Sequence, residues 1–467
     1  RRRRRRRLRL FVASAGIYLS WILLGRRRPR DPRSRSRDEH DADVARLQET
    51  LRTTSGPFRL RKRRDGHQAR TIPVADGRPE LDLRSLNGIL ALSPESGTAV
   101  VEPLVTIRQL VRAAARAGLV PAVVPEFPEI TIGGAIQGLA AESTCHRHGL
   151  FHESVEWMDV LLGDGELVRV SPTEHVDLWS ALPGSYGSLG ALVAASLRLV
   201  PGTPWIRVEH RRTDLSSFLD PATRWPDDFV DAICDHGEEV VVTTGNWAAF
   251  PESGDTIVRS RWFDPYHCDR VMATAEHRGR ELMDAEAYLF RYDRGAFWVG
   301  PDKLGRSLPS RLIFGGFANA ANLYRLRRTR QRLSTGPSRR VVQDCIVPAD
   351  RTEKLVRFVR TATDGPLWLL PITAAHANLF GLRPGRWVNV GVYGRMDRSP
   401  DRVVAFERDL EREVTRLGGV KTLHAELFSD REALARVYDL EAYEDLRRHY
   451  RAERAFPHIF DKLGIAG

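Results

Sequence analysis

Seven glycines gather in two short stretches of this 467-residue chain. The first, TIGGAIQGLAAESTCHRHG at residues 131–149, places glycine at 133, 134, 138 and 149, and the second places it at 184, 187 and 190. Glycine lets a backbone approach a bulky ligand and offer N–H groups to phosphate oxygens. A helix packed tightly on a sheet through Gly and Ala has the same composition. The glycines alone leave both interpretations open.

The order of elements around the second glycine stretch excludes a Rossmann dinucleotide site. A Rossmann fingerprint runs from a strand through the glycines into a helix. Here HVDLWSAL predicts a helix before the glycines, and ALVAASLRLVP predicts a strand after them. A nucleotide cofactor would therefore have to be held in another way.

Four neighbouring side chains could in principle bind a metal ion: Cys145, His146, His148 and His152. Their spacing fits no common zinc pattern, and no second ligand cluster in the sequence completes a site. We therefore expect no metal. The four cysteines of the chain are scattered, which is typical of a reduced, cytosolic body.

Hydrophobic periodicity around these stretches predicts a mixed first lobe. Val44, Leu47 and Leu51 fall at helical spacing, and short strands then precede a helix over residues 106–117 with Thr106 as its N-cap. The sequence Gly163-Asp164-Gly165 predicts a hairpin between two further strands. We place the first domain at residues 40–205.

The remaining residues, 206–467, predict a second α+β lobe with an antiparallel sheet and C-terminal helices. Three segments indicate buried strands: VVQDCIVP at 341–348, PLWLLPI at 366–372 and WVNVGVYG at 387–394, with helices at 351–363 and 401–417. AYLFRYDRGAFWVG at 287–300 interleaves aromatic and basic side chains, as a core edge, an interface or a ligand wall would.

The formal net charge of +12 arises at the start of the chain. Residues 1–38 hold 15 Arg against two Asp, which leaves the remainder near −1. A nucleic-acid-binding protein would spread basic residues over a folded face, so we expect no nucleic-acid partner. Only five of the 72 basic residues are Lys, which is typical of a GC-rich, bacterial coding sequence.

The apolar segment LFVASAGIYLSWILLG at residues 10–25 is shorter than the ~20 residues that cross a bilayer upright. Three interpretations remain open: a short anchor that holds the protein on the cytoplasmic face of a membrane, a signal peptide, or an extension outside the native protein, which would then be cytoplasmic. We expect residues 26–39 to form a disordered, charged linker.

Several motifs in order resemble a known family. VVEPLVT, PEFPEITIGGAIQGLAAESTCHRHGLF, LLGDGELVRVSP and DLWSALPGSYGSLG resemble the FAD-binding (PCMH-type) domain of the vanillyl-alcohol-oxidase superfamily, and within it the delta-24-sterol reductase (diminuto, seladin) family. The second-lobe strands and FPHIFDKLG near the end resemble the same family. Residues 204–281 match it poorly.

The resemblance implies a two-subdomain cradle for FAD. The positions it implies for cofactor binding are Pro125, Thr131, Gly133, Gly134, Gly138, Glu142, Ser143, His146, Gly149, Gly187, Leu189 and Val193. Residues 131–138 would hold the diphosphate, residues 142–149 the ribityl and isoalloxazine side, and residues 187–193 the adenine end.

The resemblance also bears on how the flavin is attached. Many members of the superfamily carry a histidine that is linked covalently to the flavin, in an RGGGHS-like loop. Here the corresponding region reads SGPFRLRKRRDGHQ, so we expect a non-covalent flavin and a surface position for His67.

The resemblance further implies reduction of an isolated carbon–carbon double bond, with NADPH as the electron donor and a hydrophobic sterol or other isoprenoid as the substrate. Tyr393, Tyr292 and Asp344 are the candidate proton donors, and Asp344 could equally be a structural carboxylate paired with an arginine. Arg291 and Arg294 could steer the NADPH phosphates or form plain salt bridges.

Two other functions stay open at this point: a flavin oxidase or dehydrogenase acting on an alcohol, sugar or hydroxy acid, and a membrane-associated binding protein without turnover.

Overall fold

The computed structural model describes residues 33–62, 77–220, 225–235, 237–276, 279–333, 340–363, 365–396 and 399–465. Within them the chain forms two large sheets, one in each lobe, and a small parallel pair of strands. One apolar cluster runs through both lobes and includes Val101 and Phe151 of the first and Phe229 and Phe297 of the second.

The first lobe is built on a sheet whose strands follow the order β1-β4-β5-β9-β7-β8, with β6 also paired to β9. Its strands are β1 (Arg33–Ser34), β4 (Gly88–Ser93), β5 (Thr98–Val101), β6 (Leu119–Pro121), β7 (Val155–Leu161), β8 (Leu167–Val170) and β9 (Ala191–Pro201), and the small pair is β2 (Arg59–Arg61) with β3 (Glu80–Asp82). The first seven residues of β9 are buried, as a central strand requires.

The second lobe holds the predicted sheet, antiparallel except where β13 pairs with β14, in the order β13-β14-β10-β12-β11-β16-β17-β15-β18. Its strands are β10 (Trp205–Asp214), β11 (Phe229–Cys234), β12 (Glu239–Ala248), β13 (Thr256–Val258), β14 (Arg280–Asp284), β15 (Arg340–Pro348), β16 (Leu367–Ala374), β17 (Gly385–Arg395) and β18 (Val420–Lys421). The three predicted buried strands are β15, β16 and β17.

Helices cover both sheets. They are α1 (Arg37–Thr53), α2 (Ile107–Ala115), α3 (Ile132–Gln137), α4 (Cys145–His148), α5 (Val176–Ala181), α6 (Leu215–Leu219), α7 (His267–Thr274), α8 (Ala285–Leu289), α9 (Pro301–Leu304), α10 (Leu308–Phe314), α11 (Ala320–Leu333), α12 (Thr352–Arg360), α13 (Pro400–Arg416), α14 (Arg431–Ala435), α15 (Leu440–His449), α16 (Ala452–Ala455) and α17 (Ile459–Leu463), with 3-10 turns at Phe151–Ser154 and Ala349–Arg351.

Local signals placed several of these elements correctly. The Thr106 side chain accepts from the Gln109 N–H at 3.3 Å, and the Gln109 side chain accepts from the Thr106 N–H at 2.9 Å, which is the reciprocal capping expected of this N-cap. The predicted hairpin joins β7 to β8, and Gly165 supplies the positive φ of its turn (84°).

The predicted disordered linker at residues 26–39 extends too far. Arg33 and Ser34 pair in parallel with β4, and Ser36 caps α1, which begins at Arg37. The buried Arg35 donates to Glu102 at 2.6 Å, which anchors this segment to the first lobe. Residues 1–32, with the apolar segment 10–25, lie outside the described residues, as does the turn at His67.

The C-terminal helices return to the first lobe instead of remaining with the second. Arg447 of α15 donates to the Ser188 carbonyl at 2.5 Å, and Tyr450 donates to Asp177 at 2.7 Å. Ala452, Ala455 and Phe456 pack in one cluster with α1 and β9. The first lobe is therefore completed by residues from the far end of the chain.

Across the described ranges, no helix combines the length and apolar character needed to cross a membrane.

Candidate active site

The two glycine stretches of the sequence lie against each other. A β-carbon on Gly187 would lie 3.4 Å from the Gln137 side-chain oxygen, and one on Gly184 would lie 3.3 Å from Leu139. The predicted cofactor residues of both stretches therefore border one region of the first lobe. Leu189 and Val193 are exceptions, because both side chains are fully buried in apolar clusters.

The glycines of the first stretch serve two different purposes. A β-carbon on Gly133 would lie 2.9 Å from the Pro103 side chain, and one on Gly138 would lie 2.6 Å from the Gly134 carbonyl, so tight protein packing explains both. At Gly134 the nearest described atom is the Thr131 hydroxyl at 3.0 Å. Gly134 is thus the position of the three with most room for a ligand.

Backbone N–H groups at this turn are already used. Those of Ile132 and Gly133 donate to the carbonyls of Val105 and Pro103 at 2.9 Å each, and that of Gly134 donates to the Thr131 hydroxyl at 3.2 Å. The start of α3 therefore has no spare N–H for a diphosphate among these three residues.

Buried polar atoms without a partner mark the same region. Glu142 Oε2, Thr144 Oγ1 and Ser185 Oγ are inaccessible and have no hydrogen-bond partner among the described residues. An unsatisfied buried polar atom is costly, so such atoms commonly face a ligand or water. These residues fit a polar cofactor held between the two glycine stretches, with Pro125 buried at the edge.

His146 joins the two lobes. Its ring nitrogens lie 3.0 Å from the Ser143 carbonyl and 2.9 Å from the Asp227 carbonyl of the second lobe. Burial lowers its pKa, while the hydrogen bonds to the two carbonyls act in the opposite direction. Gly149 has a positive φ (72°), and a β-carbon there would collide with the Glu153 side chain. Both residues have structural roles beside the implied flavin position.

Arg291 is the centre of a buried ionic network. Its Nη2 donates to Glu142 at 2.6 Å and Ser143 at 3.1 Å in the first lobe, and to Asp231 at 3.2 Å in the second. The side chains of Arg291, Glu142 and Asp231 are each no more than 2% exposed. Burial raises the pKa of Glu142, and the charge of Asp231, which shares the same cation, raises it further. Arg291 is therefore unavailable to NADPH phosphates.

Tyr292 is committed to the same network. Its hydroxyl donates to Asp231, which also accepts from the Trp368 indole at 2.9 Å. Burial and the charge of Asp231 raise the pKa of Tyr292 well above 10. Its ring stacks on Phe297 at 4.3 Å between centroids. Of the three predicted proton donors, Tyr292 thus has the clearest structural role, since its hydroxyl is bonded to Asp231 and its ring is stacked on Phe297.

Tyr393 and Asp344 lie together, on neighbouring strands. Asp344 faces Gly391 across the β15–β17 ladder, and the Tyr393 ring lies over that glycine. A β-carbon added to Gly391 would lie 2.6 Å from Cζ of Tyr393. The Tyr393 hydroxyl donates to Asp344. Burial and the charge of Asp344 raise the pKa of Tyr393 well above 10.

No arginine among the described residues pairs with Asp344. Its other partners are Asn389, whose amide donates at 3.0 Å, and the half-exposed His424, whose Nε2 lies 3.1 Å away. Burial alone would raise the pKa of Asp344, but hydrogen bonds from His424, Tyr393 and Asn389 outweigh it and lower that pKa. The hydrogen bonds run without a break from a half-exposed histidine to a buried phenol.

Glu126 is a candidate functional residue that sequence reasoning missed. Burial, with the charge of Glu142, raises its pKa well above 4.5, and Asp344 and Arg291 lie within electrostatic range. Within the described part of the chain it has no ion-pair partner, and its charge also acts on Tyr393 and Tyr324. Its neighbour Phe127 meets Phe297 edge to face at 6.2 Å. No local pattern in PEFPE distinguishes this glutamate.

Arg294 lies on the wall of a cavity of about 580 Å³ between the lobes, with Arg108, Arg261, Trp262 and Asp293. Its guanidinium donates to the carbonyls of Trp262 at 3.3 Å and Asp264 at 2.7 Å. Burial raises the pKa of Asp293 to about 6.

Among the described residues, no three His, Cys, Asp or Glu side chains are grouped as metal ligands.

Known proteins are similar to this chain in the first lobe and over most of its length. The family model described as an FAD binding domain matches residues 39–171. The Delta(24)-sterol reductase of Homo sapiens is 28% identical over 400 residues, which cover 81% of this chain and 76% of that protein. The chain is an FAD-dependent oxidoreductase that is similar, over most of its length, to proteins named Delta(24)-sterol reductase. The relationship covers both lobes, as the order of motifs had indicated.

Two further relatives show where the similarity is broad and where it is narrow. The Delta(24)-sterol reductase of Arabidopsis thaliana is 28% identical over 432 residues, 82% of this chain and 76% of its own length. Cytokinin dehydrogenase 6 of Oryza sativa subsp. japonica is 27% identical over 179 residues, only 36% of this chain and 34% of its own.

Replacing Arg291 with methionine should destabilise the protein by about 3–5 kcal/mol at neutral pH, because two buried carboxyls lose their cation. Without Arg291 the folded-state pKa of Glu142 rises further above its unfolded value, so the loss should grow as pH rises and shrink as pH falls. Urea unfolding at two pH values measures this.

Arg294→Met is the matched control, because that guanidinium donates to carbonyls and not to a carboxylate. The Arg294→Met variant should lose less free energy of unfolding than Arg291→Met, and that loss should be nearly independent of pH. Equal, pH-independent losses in both variants would contradict the shared-cation interpretation.

Proposed function

We propose that this flavoprotein uses NADPH to reduce a carbon–carbon double bond in a sterol or another isoprenoid lipid, with FAD bound non-covalently. The observation that carries the proposal is the junction of the lobes, where an aromatic cluster lies near Glu126, an acid of raised pKa that forms no ion pair with the described residues. The similarity to proteins named Delta(24)-sterol reductase over 81% of the chain supports it.

Bound FAD supplies the chemistry of accepting a hydride from a nicotinamide and passing it to one carbon of the alkene. The protein must then exclude water, hold the apolar substrate and protonate the second carbon. Residues 131–149 and 184–188 are the candidates to hold the cofactor.

An aromatic cluster supplies the apolar surroundings. The rings of Phe297 and Tyr393 lie 4.8 Å apart, those of Phe297 and Trp368 5.1 Å, and those of Trp298 and Tyr393 5.8 Å. All four side chains are at most 8% exposed. Such a surface favours a hydrocarbon substrate over a sugar or a hydroxy acid.

Glu126 is the proton donor in this proposal. A general acid must hold its proton at the working pH and release it to the substrate. The raised pKa of Glu126 meets the first condition, and a carboxylic acid is a far stronger acid than a phenol whose pKa is raised well above 10. Asp344 is ionised, because its pKa is lowered, so it has no proton to give.

Tyr393 and Asp344 become positioning residues. Asp344, held by Asn389 and His424, fixes the hydroxyl of Tyr393 and with it the ring that contacts Phe297. The Trp298 indole donates to the Tyr393 carbonyl and secures the same strand end.

Anaerobic mixing of purified, flavin-loaded protein with NADPH tests the proposed donor. Rapid loss of flavin absorbance is expected. Bleaching by an alcohol or an amine but not by NADPH would favour a dehydrogenase, the class to which the shorter rice match points. Absence of a bound yellow cofactor would contradict any redox role.

Glu126→Gln should lower the rate of alkene reduction by about 10²–10⁴-fold, the range typical of a lost general acid, while flavin bleaching by NADPH stays unchanged. In the wild-type protein the same rate should fall as pH rises through the raised pKa of Glu126, because the acid loses its proton. Turnover assays across pH measure both.

Tyr393→Phe is the matched comparison, since it removes only the hydroxyl that Asp344 holds. We expect a smaller loss and an unchanged pH profile. If Tyr393→Phe abolishes turnover while Glu126→Gln retains it, the proton donor is Tyr393 and the assignment to Glu126 is wrong.

A further inference from the structure

Four large apolar side chains are exposed on two adjoining segments of the second lobe. Trp262 is 37% exposed, Leu308 52%, Leu312 46% and Ile313 54%. Single exposed apolar residues are ordinary on a soluble protein, but a group of them marks an interaction surface.

The fold holds these two segments against each other. Arg311 of α10 donates to the Phe263 carbonyl at 2.9 Å, and Arg294 holds the Trp262 carbonyl at 3.3 Å. Gly315, just after α10, lies so close that a β-carbon would fall 2.1 Å from the Trp262 carbonyl oxygen. We call residues 259–263 and 301–316 the apolar-basic surface.

Helix α10 has the character of an interfacial helix. None of its seven residues is buried, although three of them are Leu308, Leu312 and Ile313. Leu308 and Leu312 are one turn apart, so they share a face. A water-exposed helix of this composition is unfavourable unless another phase or surface covers its apolar side.

Basic residues surround these apolar side chains. Residues 259–263 and 301–316 contain Arg259, Arg261, Lys303, Arg306 and Arg311 against the single acid Asp302. Asp264 follows the first segment directly, and Arg306 pairs with both Asp302 and Asp269 at 3.0 Å, so the excess comes mainly from the other four basic residues. The chain beyond residue 38 carries a net charge near −1, so this excess is local. Arg259, Arg261 and Arg306 are themselves exposed.

We propose that the apolar-basic surface docks on the anionic face of a lipid bilayer. Leucine, isoleucine and tryptophan side chains enter the boundary between headgroups and acyl chains, while arginines bind lipid phosphates. The excess of positive charge on the surface matches the negative charge of such a membrane. This contact is separate from residues 10–25 of the sequence.

The position of this surface suggests its purpose. Trp262, Phe263, Gly315 and Gly316 line the cavity of about 580 Å³, whose wall also includes Asp293 next to Tyr292. A lipid leaving the bilayer at this surface would meet that cavity directly, at the junction of the lobes. This purpose rests on the proposed lipid substrate, whereas the docking itself does not require turnover.

Site-specific fluorescence on the full-length, flavin-loaded protein tests the docking. All four native cysteines are buried, so a new surface cysteine can be labelled selectively. Leu312→Cys is labelled with an environment-sensitive fluorophore and mixed with vesicles of phosphatidylcholine and phosphatidylglycerol. Val176→Cys, at a first-lobe position that is 51% exposed, is the control.

Docking predicts a blue-shifted, brighter emission at position 312 with vesicles and no change at position 176. Membrane attachment through residues 10–25 would bring both variants to the vesicle alike, so equal responses at the two positions overturn the proposal. So does no response at either position. A shift at 312 that follows protein concentration without vesicles assigns the surface to a second copy of the chain.

Arg261→Glu in the Leu312→Cys background should reduce the response at low salt, because it reverses one charge of the surface. Failure of docking leaves NADPH bleaching intact, and failure of the proposed reaction leaves the fluorescence response intact. The two proposals are therefore separable.

Discussion

The geometry of the candidate site depends on one guanidinium that carboxyls of both lobes share. Arg291 contacts Glu142 and Ser143 in the first lobe and Asp231 in the second, and the Val230 N–H donates to the Ser143 carbonyl at 2.8 Å beside it. Buried charges are tolerated only when they are paired, so neither lobe can satisfy its own part of this network alone. The implied flavin region and the second-lobe sheet are thereby held in a fixed relation.

The aromatic cluster follows from that fixed relation. Tyr292 and Trp368 both donate to Asp231, and Phe297 stacks on Tyr292, so the polar network and the apolar rings share a boundary. Glu126 reaches the same junction from the first lobe, where burial and the nearby Glu142 keep its proton in place. A cation paired with Glu126 would lower its pKa and leave it without a proton to give, whereas Arg291 is engaged by Glu142 and Asp231. The position of Arg291 thus explains why Asp231 has a structural role while Glu126 can keep a proton to donate.

Local patterns predicted the parts of this structure that local interactions determine. The cap at Thr106, the hairpin at Gly165 and strands β15 to β17 all follow from short-range spacing. Such patterns could not predict contacts between residues that are far apart in the sequence. His424 contacts Asp344, which is 80 residues away, and Arg447 contacts Ser188, which is 259 residues away. The family resemblance supplied FAD and the Tyr393–Asp344 region. It did not supply Glu126, because only the fold brings that carboxyl near Glu142 and Asp344.

The most direct measurement concerns the second half of the proposed reaction. Protein first reduced anaerobically with NADPH is mixed with a sterol that is unsaturated in its side chain, and flavin absorbance is followed. The account predicts that the absorbance returns with the alkene and not with its saturated analogue. Absorbance that stays bleached with every isoprenoid alkene, yet returns when oxygen is admitted as a control, would contradict alkene reduction.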